Sequence, residues 1–128
     1  MKRVLILFGL IITLGLFVTS CYKDVILPEA AVDPDGPPQF VSYSTDLAPL
    51  FNSSCALAGC HINGGPHKPY MNTDISWQQI VNGGFVDLNF PKNSKLYIEI
   101  NGDMRDHIPS AKDRQKVYDW IRNGAPNN

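Results

Sequence analysis

Two thiols and an imidazole lie within seven consecutive residues, in the run CALAGCH. Cys55 and Cys60 are separated by four residues, and His61 follows Cys60 directly. This group of side chains suits three kinds of chemistry: thioether attachment of a haem with the imidazole on the iron, coordination of zinc, or a disulfide. Zinc would need His67 as a fourth donor. A disulfide would crosslink a small interaction domain but would leave the position of His61 unexplained.

Haem attachment requires a particular arrangement of the two cysteines. Each thiol bonds to one vinyl group of the porphyrin, and the histidine that follows binds the iron. The usual motif has two residues between the cysteines, whereas this chain has four. The additional residues must therefore bulge outward, and Ala56, Ala58 and Gly59 are small enough to allow it.

The N-terminus has the pattern of an export signal. Lys2 and Arg3 precede an apolar run over residues 4–18, which is too short to span a bilayer comfortably as a mature helix. The run ends in VTSC, which resembles the lipobox of bacterial lipoproteins, whose cysteine is lipidated and becomes the first mature residue. We therefore expect a lipoprotein signal peptide at 1–20 and lipidation of Cys21. An ordinary signal peptide with an incidental cysteine, or an uncleaved anchor, is the alternative.

Export fixes the compartment and the state of the cysteines. A lipid-anchored protein of the bacterial cell envelope faces the periplasm or the cell surface, where free thiols do not persist. Residues 21–39 contain four prolines and are predicted to form a flexible tether. Residues 40–128 form one predicted domain with eight Lys or Arg and eight Asp or Glu. This neutral charge balance argues against a nucleic-acid partner. A domain with so small a hydrophobic core often needs a crosslink, a metal or a cofactor for stability.

The predicted helices nearest the two ends of the domain should position the site. The segment STDLAPLFNSS has Ser44 or Thr45 as its N-cap and leads directly into Cys55. The segment PSAKDRQKVYDWIRNG begins with a capping pair, Ser110 and Asp113. Its apolar face consists of Val117, Trp120 and Ile121.

Two shorter helices are predicted between them. TDISWQQIVNGG has Thr73 or Asp74 as its cap and ends at a glycine pair. In PKNSKLYIEING, Ser94 is the predicted cap, and a helix is preferred over a strand although the aromatic and β-branched content is compatible with both. The fold class is therefore mostly α, a small domain of short helices.

Several of these motifs together resemble the c-type cytochromes. The segment YSTDLAPLFNSSC, the CH pair, SKLY, the proline-containing loop and the ending VYDWIRNGAPNN are similar to single-haem cytochrome c domains of bacterial lipoproteins. The resemblance covers residues 43–126. It implies a compact cytochrome c-like fold in which the N- and C-terminal helices cross, with Phe51 and Trp120 at the contact.

The resemblance also implies roles for the residues of the opening motif. Cys55 and Cys60 would form the thioether bonds to haem c, and His61 would be the proximal iron ligand. The second ring nitrogen of such a histidine is usually held by an acceptor, and related domains use a downstream proline carbonyl. Pro66 and Pro69 are the two candidates here.

The sixth iron ligand is where the chain departs from that family. Such domains usually place a methionine before the proline of the last loop, but here Ile108 precedes Pro109. Met104 would give His/Met ligation and a higher potential, whereas His107 would give bis-His ligation and a lower one. A third possibility is an open or water-bound position. Further donors in the sequence are Met71 and His67.

The function implied is electron transfer. We expect a monomeric, membrane-anchored mono-haem cytochrome that carries single electrons between protein partners and converts no substrate. Two alternatives stay open at this point. One is a haem protein whose open sixth position binds or reacts with peroxide or nitric oxide, and the other is a haem-free, disulfide-crosslinked interaction domain.

Overall fold

A computed structural model describes residues 32–128 of the chain. The predicted signal peptide at residues 1–20, Cys21 and the first part of the predicted tether lie outside the described residues. Within residues 32–128 the structure is mostly helical and has no strand, which confirms a small α domain. No helix in this range is both long and apolar enough to cross a bilayer. The four α-helices are α1 (Ala48–Ser54), α2 (Ser76–Val81), α3 (Lys95–Asn101) and α4 (Ala111–Arg122).

The first helical segment begins earlier than the sequence predicted. A π-helical turn, Tyr43–Leu47, runs directly into α1, and its N-cap is Ser42. The prediction of Ser44 or Thr45 as the cap is therefore wrong. The Ser42 hydroxyl accepts a hydrogen bond from the Thr45 amide at 3.4 Å, and the Asp46 carboxylate accepts one from the Ser42 amide at 2.9 Å. This reciprocal pair satisfies amides that the helix start would leave without acceptors.

The last helix, α4, forms as its sequence pattern indicates. The Ser110 hydroxyl accepts from the Asp113 amide at 3.2 Å, which confirms the predicted cap. The three predicted apolar residues are at most 1% exposed. They are Val117, Trp120 and Ile121.

The two central helices are present, but neither has the side-chain cap predicted for it. Helix α2 follows Ile75 and lacks a side-chain cap, so the prediction of Thr73 or Asp74 is wrong. Ser94 does precede α3, and the preference for a helix there is confirmed. Its hydroxyl, however, accepts from the Asp87 amide at 2.9 Å and ties the preceding loop to the helix instead of capping it.

The core is centred on Tyr43, which the sequence analysis did not single out. Its ring centroid lies 6.3 Å from that of Phe51 and 5.2 Å from that of Trp120. All three residues are almost fully buried. The C-terminal tail closes over them, because Asn128 accepts from the Tyr43 amide at 2.7 Å and Pro126 accepts from the Trp120 indole at 2.8 Å. The first helical segment and α4 are thus packed together through one aromatic cluster.

Residues 33–39, predicted as the end of the tether, lie along α4. The guanidinium of Arg122 donates to the Gly36 carbonyl at 2.7 Å, and Lys92 pairs with Asp35 at 2.6 Å. Because Lys92 and Asp35 are both exposed, this ion pair contributes little to stability. The contacts nevertheless fix where the N-terminal segment meets the domain.

Candidate functional site

One cavity contains every predicted site residue of the described range. It has a volume of about 390 Å³ and lies between α1, α3 and the loops that follow them. This volume falls within the roughly 300–1,000 Å³ typical of small-molecule sites. Its wall includes Cys55, Cys60, His61, Met104 and His107. Residues that are up to 52 positions apart in sequence are thus brought to a single site.

The two cysteines reach the cavity through a short closed loop. Cys55 ends α1, and its amide donates to the Phe51 carbonyl at 2.8 Å. The His61 amide donates back to the Cys55 carbonyl at 3.1 Å. Between them Leu57 is 45% exposed, and Gly59 has a φ of 81°, a left-handed conformation that favours glycine. Leu57 and Ala58 therefore bulge outward, as predicted for the additional residues, whereas Ala56 packs against the core and both thiols stay on the cavity wall.

The imidazole of His61 is held by a backbone acceptor. Its Nδ1 atom lies 3.0 Å from the carbonyl oxygen of Pro69, so Pro69, and not Pro66, is the partner. A carbonyl can only accept, so Nδ1 carries a proton, and in the neutral imidazole the lone pair is then on Nε2. The Met71 amide also donates to the His61 carbonyl at 2.8 Å, which fixes the backbone on both sides of the ring. This arrangement presents Nε2 as a metal donor.

Both cysteines are free thiols in this structure. Burial, and to a lesser degree the neighbouring Cys60, raises the pKa of Cys55 to about 11. At neutral pH Cys55 is therefore a protonated thiol and a weak nucleophile by itself.

The donor set does not match a closed zinc site. The ring centroids of His61 and His67 are 6.2 Å apart, and both residues line the cavity. Among residues 32–128, however, no group of three or more His, Cys, Asp or Glu side chains is arranged to hold a metal ion. A structural zinc needs four such donors converging on one point, so this geometry disfavours the zinc alternative.

The candidate sixth ligands lie on the wall formed after α3. Met104 directly precedes a 3-10 turn, Arg105–His107, whose last residue is His107, and both side chains are exposed at the cavity edge. Ile108, at the position where the c-type cytochrome domains that the sequence resembles carry a methionine, is 1% exposed and belongs to the hydrophobic core. The remaining donors that were considered, Met71 and His67, also line the cavity.

The rest of the wall consists of residues that the sequence analysis did not assign to the site. Leu96 and Ile100, on the apolar face of α3, line the cavity as well as the core. Phe85 and Lys95 are further members of the wall, and the Lys95 ammonium lies 5.5 Å from the Phe85 ring centroid. Because the sequence between the helices gives no periodic signal, Phe85 could be found only from the fold.

The residues present fit a covalently held haem. Two thiols stand beside an imidazole whose Nε2 is available, and apolar side chains such as Phe51 and Leu96 form the adjacent wall. A porphyrin needs these three features: attachment points for its vinyl groups, an iron ligand, and an apolar surface for its ring.

Comparison of the chain with protein-family models, curated proteins and solved structures gives no match.

Proposed function

We propose that this protein is a mono-haem c-type cytochrome, anchored by lipid at Cys21, that carries single electrons in the bacterial cell envelope. The observation that carries the proposal is the placement of Cys55, Cys60 and His61 on one cavity wall, with Nδ1 of His61 held by the Pro69 carbonyl. A disulfide would account for the thiols but not for an oriented imidazole beside them.

Each residue of the motif has a defined role in this proposal. The thiols of Cys55 and Cys60 add across the two vinyl groups, with each sulfur bonding to one carbon and each thiol hydrogen passing to the other. His61 binds the iron through Nε2. The Pro69 carbonyl holds the ring orientation and increases the basicity of the imidazole.

The haem supplies a one-electron Fe(III)/Fe(II) couple when bound. The protein around it limits access of water, since Phe51, Leu96 and Ile100 present apolar surface to the cavity. Low polarity near the iron favours the less charged reduced state and so raises the potential. Lys68 and Lys95 also line the cavity and place positive charge where it can pair with the carboxylates of the group.

The finer fold that this proposal implies is cytochrome c-like. It is supported by the packing of the first helical segment against α4, in which Tyr43 contacts both Phe51 and Trp120. In this reading the N-terminal lipid at Cys21 keeps the domain at the membrane, facing the periplasm or the cell surface. The predicted tether ends where Asp35 pairs with Lys92 and the Gly36 carbonyl accepts a hydrogen bond from Arg122.

The test is a visible spectrum, oxidised and reduced, of the protein produced together with a cytochrome c maturation system, followed by a haem stain after denaturation. Haem that remains with the chain after denaturation is the expected result, because thioether bonds survive unfolding. A colourless protein, obtained while a control cytochrome matures normally, would overturn the proposal. It would favour the haem-free interaction domain, whose Cys55–Cys60 disulfide can be detected by mass spectrometry.

A second candidate function follows from the position of Ile108. Because this residue is buried in the core and the two neighbouring donors, Met104 and His107, are exposed, this second function leaves the sixth position of the iron open to a small ligand such as peroxide or nitric oxide. Addition of carbon monoxide to the reduced protein, or cyanide to the oxidised protein, tests this. A rapid spectral shift would support ligand binding, and an unchanged spectrum would exclude an accessible position.

A further inference from the structure

Arg114 is a buried cation with an unusual set of partners. It lies in the first half of α4 and is 7% exposed. Its Nη1 atom donates to the carbonyl oxygens of Ile108 and Pro109, both at 2.6 Å, and its Nε atom donates to Oδ1 of Asn101 at 3.2 Å. The ion pairs found among residues 32–128 do not include Arg114. Its charge is therefore satisfied by neutral acceptors.

These acceptors lie at the two ends of one loop. Asn101 is the last residue of α3, and Ile108 and Pro109 directly precede the cap of α4. Residues 102–107, between them, include both Met104 and His107. The guanidinium thus joins the start of this loop to its end, which a planar donor with a fixed fork can do and a single ammonium cannot.

Two backbone hydrogen bonds hold the loop locally. The Met104 amide donates to the Glu99 carbonyl at 2.8 Å, and the Ile108 amide donates to the Arg105 carbonyl at 3.1 Å. Both bonds join residues no more than five positions apart. The bonds of Arg114 tie both ends of the loop to α4, while the side chains of Met104 and His107 are exposed and contribute little packing.

We propose that Arg114 is a positioning residue that fixes residues 102–107 and so determines how Met104 and His107 face the cavity. The restraint on the loop holds whether or not the chain binds haem. Its consequence at the iron rests on the proposed function. Loss of the guanidinium leaves the buried Ile108 carbonyl without this donor, and the loop loses its connection to α4.

The first test uses hydrogen exchange on the full chain in detergent, without haem. Arg114→Met is compared with Arg122→Met, since Arg122 lies on the same helix and donates to backbone carbonyls outside this loop. We expect Arg114→Met to accelerate exchange at residues 104–108 at least tenfold and to leave residues 79–81 of α2 unchanged. Arg122→Met should leave the loop unchanged. An unchanged loop in Arg114→Met, or an equal acceleration throughout the domain, would overturn the proposal.

Two milder variants keep the test valid if Arg114→Met does not fold. Asn101→Ala removes one of the three acceptors of Arg114 from an exposed position and should accelerate exchange in the same loop by a smaller factor. Arg114→Lys should restore part of the protection, because an ammonium can reach one end of the loop. Protection equal to that of the parent chain in both variants would also contradict the proposal.

The second test uses the haem-loaded protein and reads the sixth ligand. Arg114→Met should change the oxidised spectrum and the reduction potential, whereas Arg122→Met should change neither. The two tests separate the two proposals. A chain that takes up no haem but shows the loop-specific exchange refutes the cytochrome function alone, and a haem-loaded chain with unchanged exchange refutes the role of Arg114 alone.

Discussion

Nδ1 of His61 and the carbonyl oxygen of Pro69 lie 3.0 Å apart, although eight residues separate them. The intervening loop turns back on itself, and the Met71 amide closes it by donating to the His61 carbonyl. The ring is therefore oriented by the backbone before any cofactor binds. Such preorganisation reduces the ordering that iron ligation would require.

Substitutions in the motif should separate attachment from ligation. In the haem-loaded protein, Cys55→Ala and Cys60→Ala should each leave one thioether bond, and the double variant should lose its haem on denaturation. His61→Ala should retain covalent haem but lose the imidazole signature of the iron, because the thioethers do not depend on His61. Mass spectrometry of the denatured chain and visible spectra measure these outcomes. Covalent haem in the double cysteine variant would contradict the assignment.

The two candidate sixth ligands can be distinguished directly. Met104→Ala should change the ligand signature and lower the potential if the sulfur binds the iron, since loss of His/Met ligation removes the ligand that raises it. His107→Ala should raise the potential if the ligation is bis-His. Spectroscopy and redox titration of both variants decide between them. If both match the parent protein, neither residue is a ligand, and the sixth position is open or held by another donor.

Ile108→Met creates the methionine–proline pair found in the c-type cytochrome domains that the sequence resembles, but it should not supply a ligand. The side chain at this position is 1% exposed and packs in the core, not on the cavity wall. A volume-conserving change of this kind typically costs less than about 1.5 kcal/mol of stability. The spectrum and potential of the iron should therefore match those of the parent protein. The appearance of a new methionine ligand would show that the loop can rearrange around the haem.

Tyr43 should make the domain sensitive to alkaline pH. Burial raises the pKa of its phenol to about 12 from 10.0. Below pH 10 the phenol is protonated in both the folded and the unfolded chain. Between pH 10 and 12 the unfolded chain releases the proton first, so the free energy of unfolding should fall by roughly 2–3 kcal/mol. Denaturant titrations across this range measure the loss.

The variant Tyr43→Phe isolates that contribution. It removes the hydrogen bond that the phenol donates to the buried Ser76 hydroxyl at 2.7 Å, which should cost about 1 kcal/mol at pH 7. It should also remove the part of the fall in unfolding free energy at alkaline pH that comes from Tyr43. Tyr70→Phe, at a half-buried tyrosine, is the matched control and should keep that loss. An identical pH dependence in Tyr43→Phe and the parent chain would refute the role of Tyr43.

The sequence alone predicted the helices and the chemistry that the motif allows, although Ser110 is the only one of the predicted side-chain caps that forms. Apolar residues three and four positions apart predicted all four helices, and the cap of α4 at Ser110 was correct because a cap depends on residues a few positions apart. The spacing of the cysteines likewise predicted an outward bulge between them, and Leu57 is exposed there. These features are encoded within windows shorter than about fifteen residues.

Only the tertiary structure decided which distant residues meet. It selected Pro69 over Pro66 as the partner of His61 and brought Met104 and His107 to the cavity that holds the cysteines. It also placed Arg114 across the ends of their loop. Such contacts depend on how the buried faces of separate helices pack and on where buried carbonyls find donors. The residue pattern within one helix does not contain that information, because the partners in these contacts come from segments far apart in sequence.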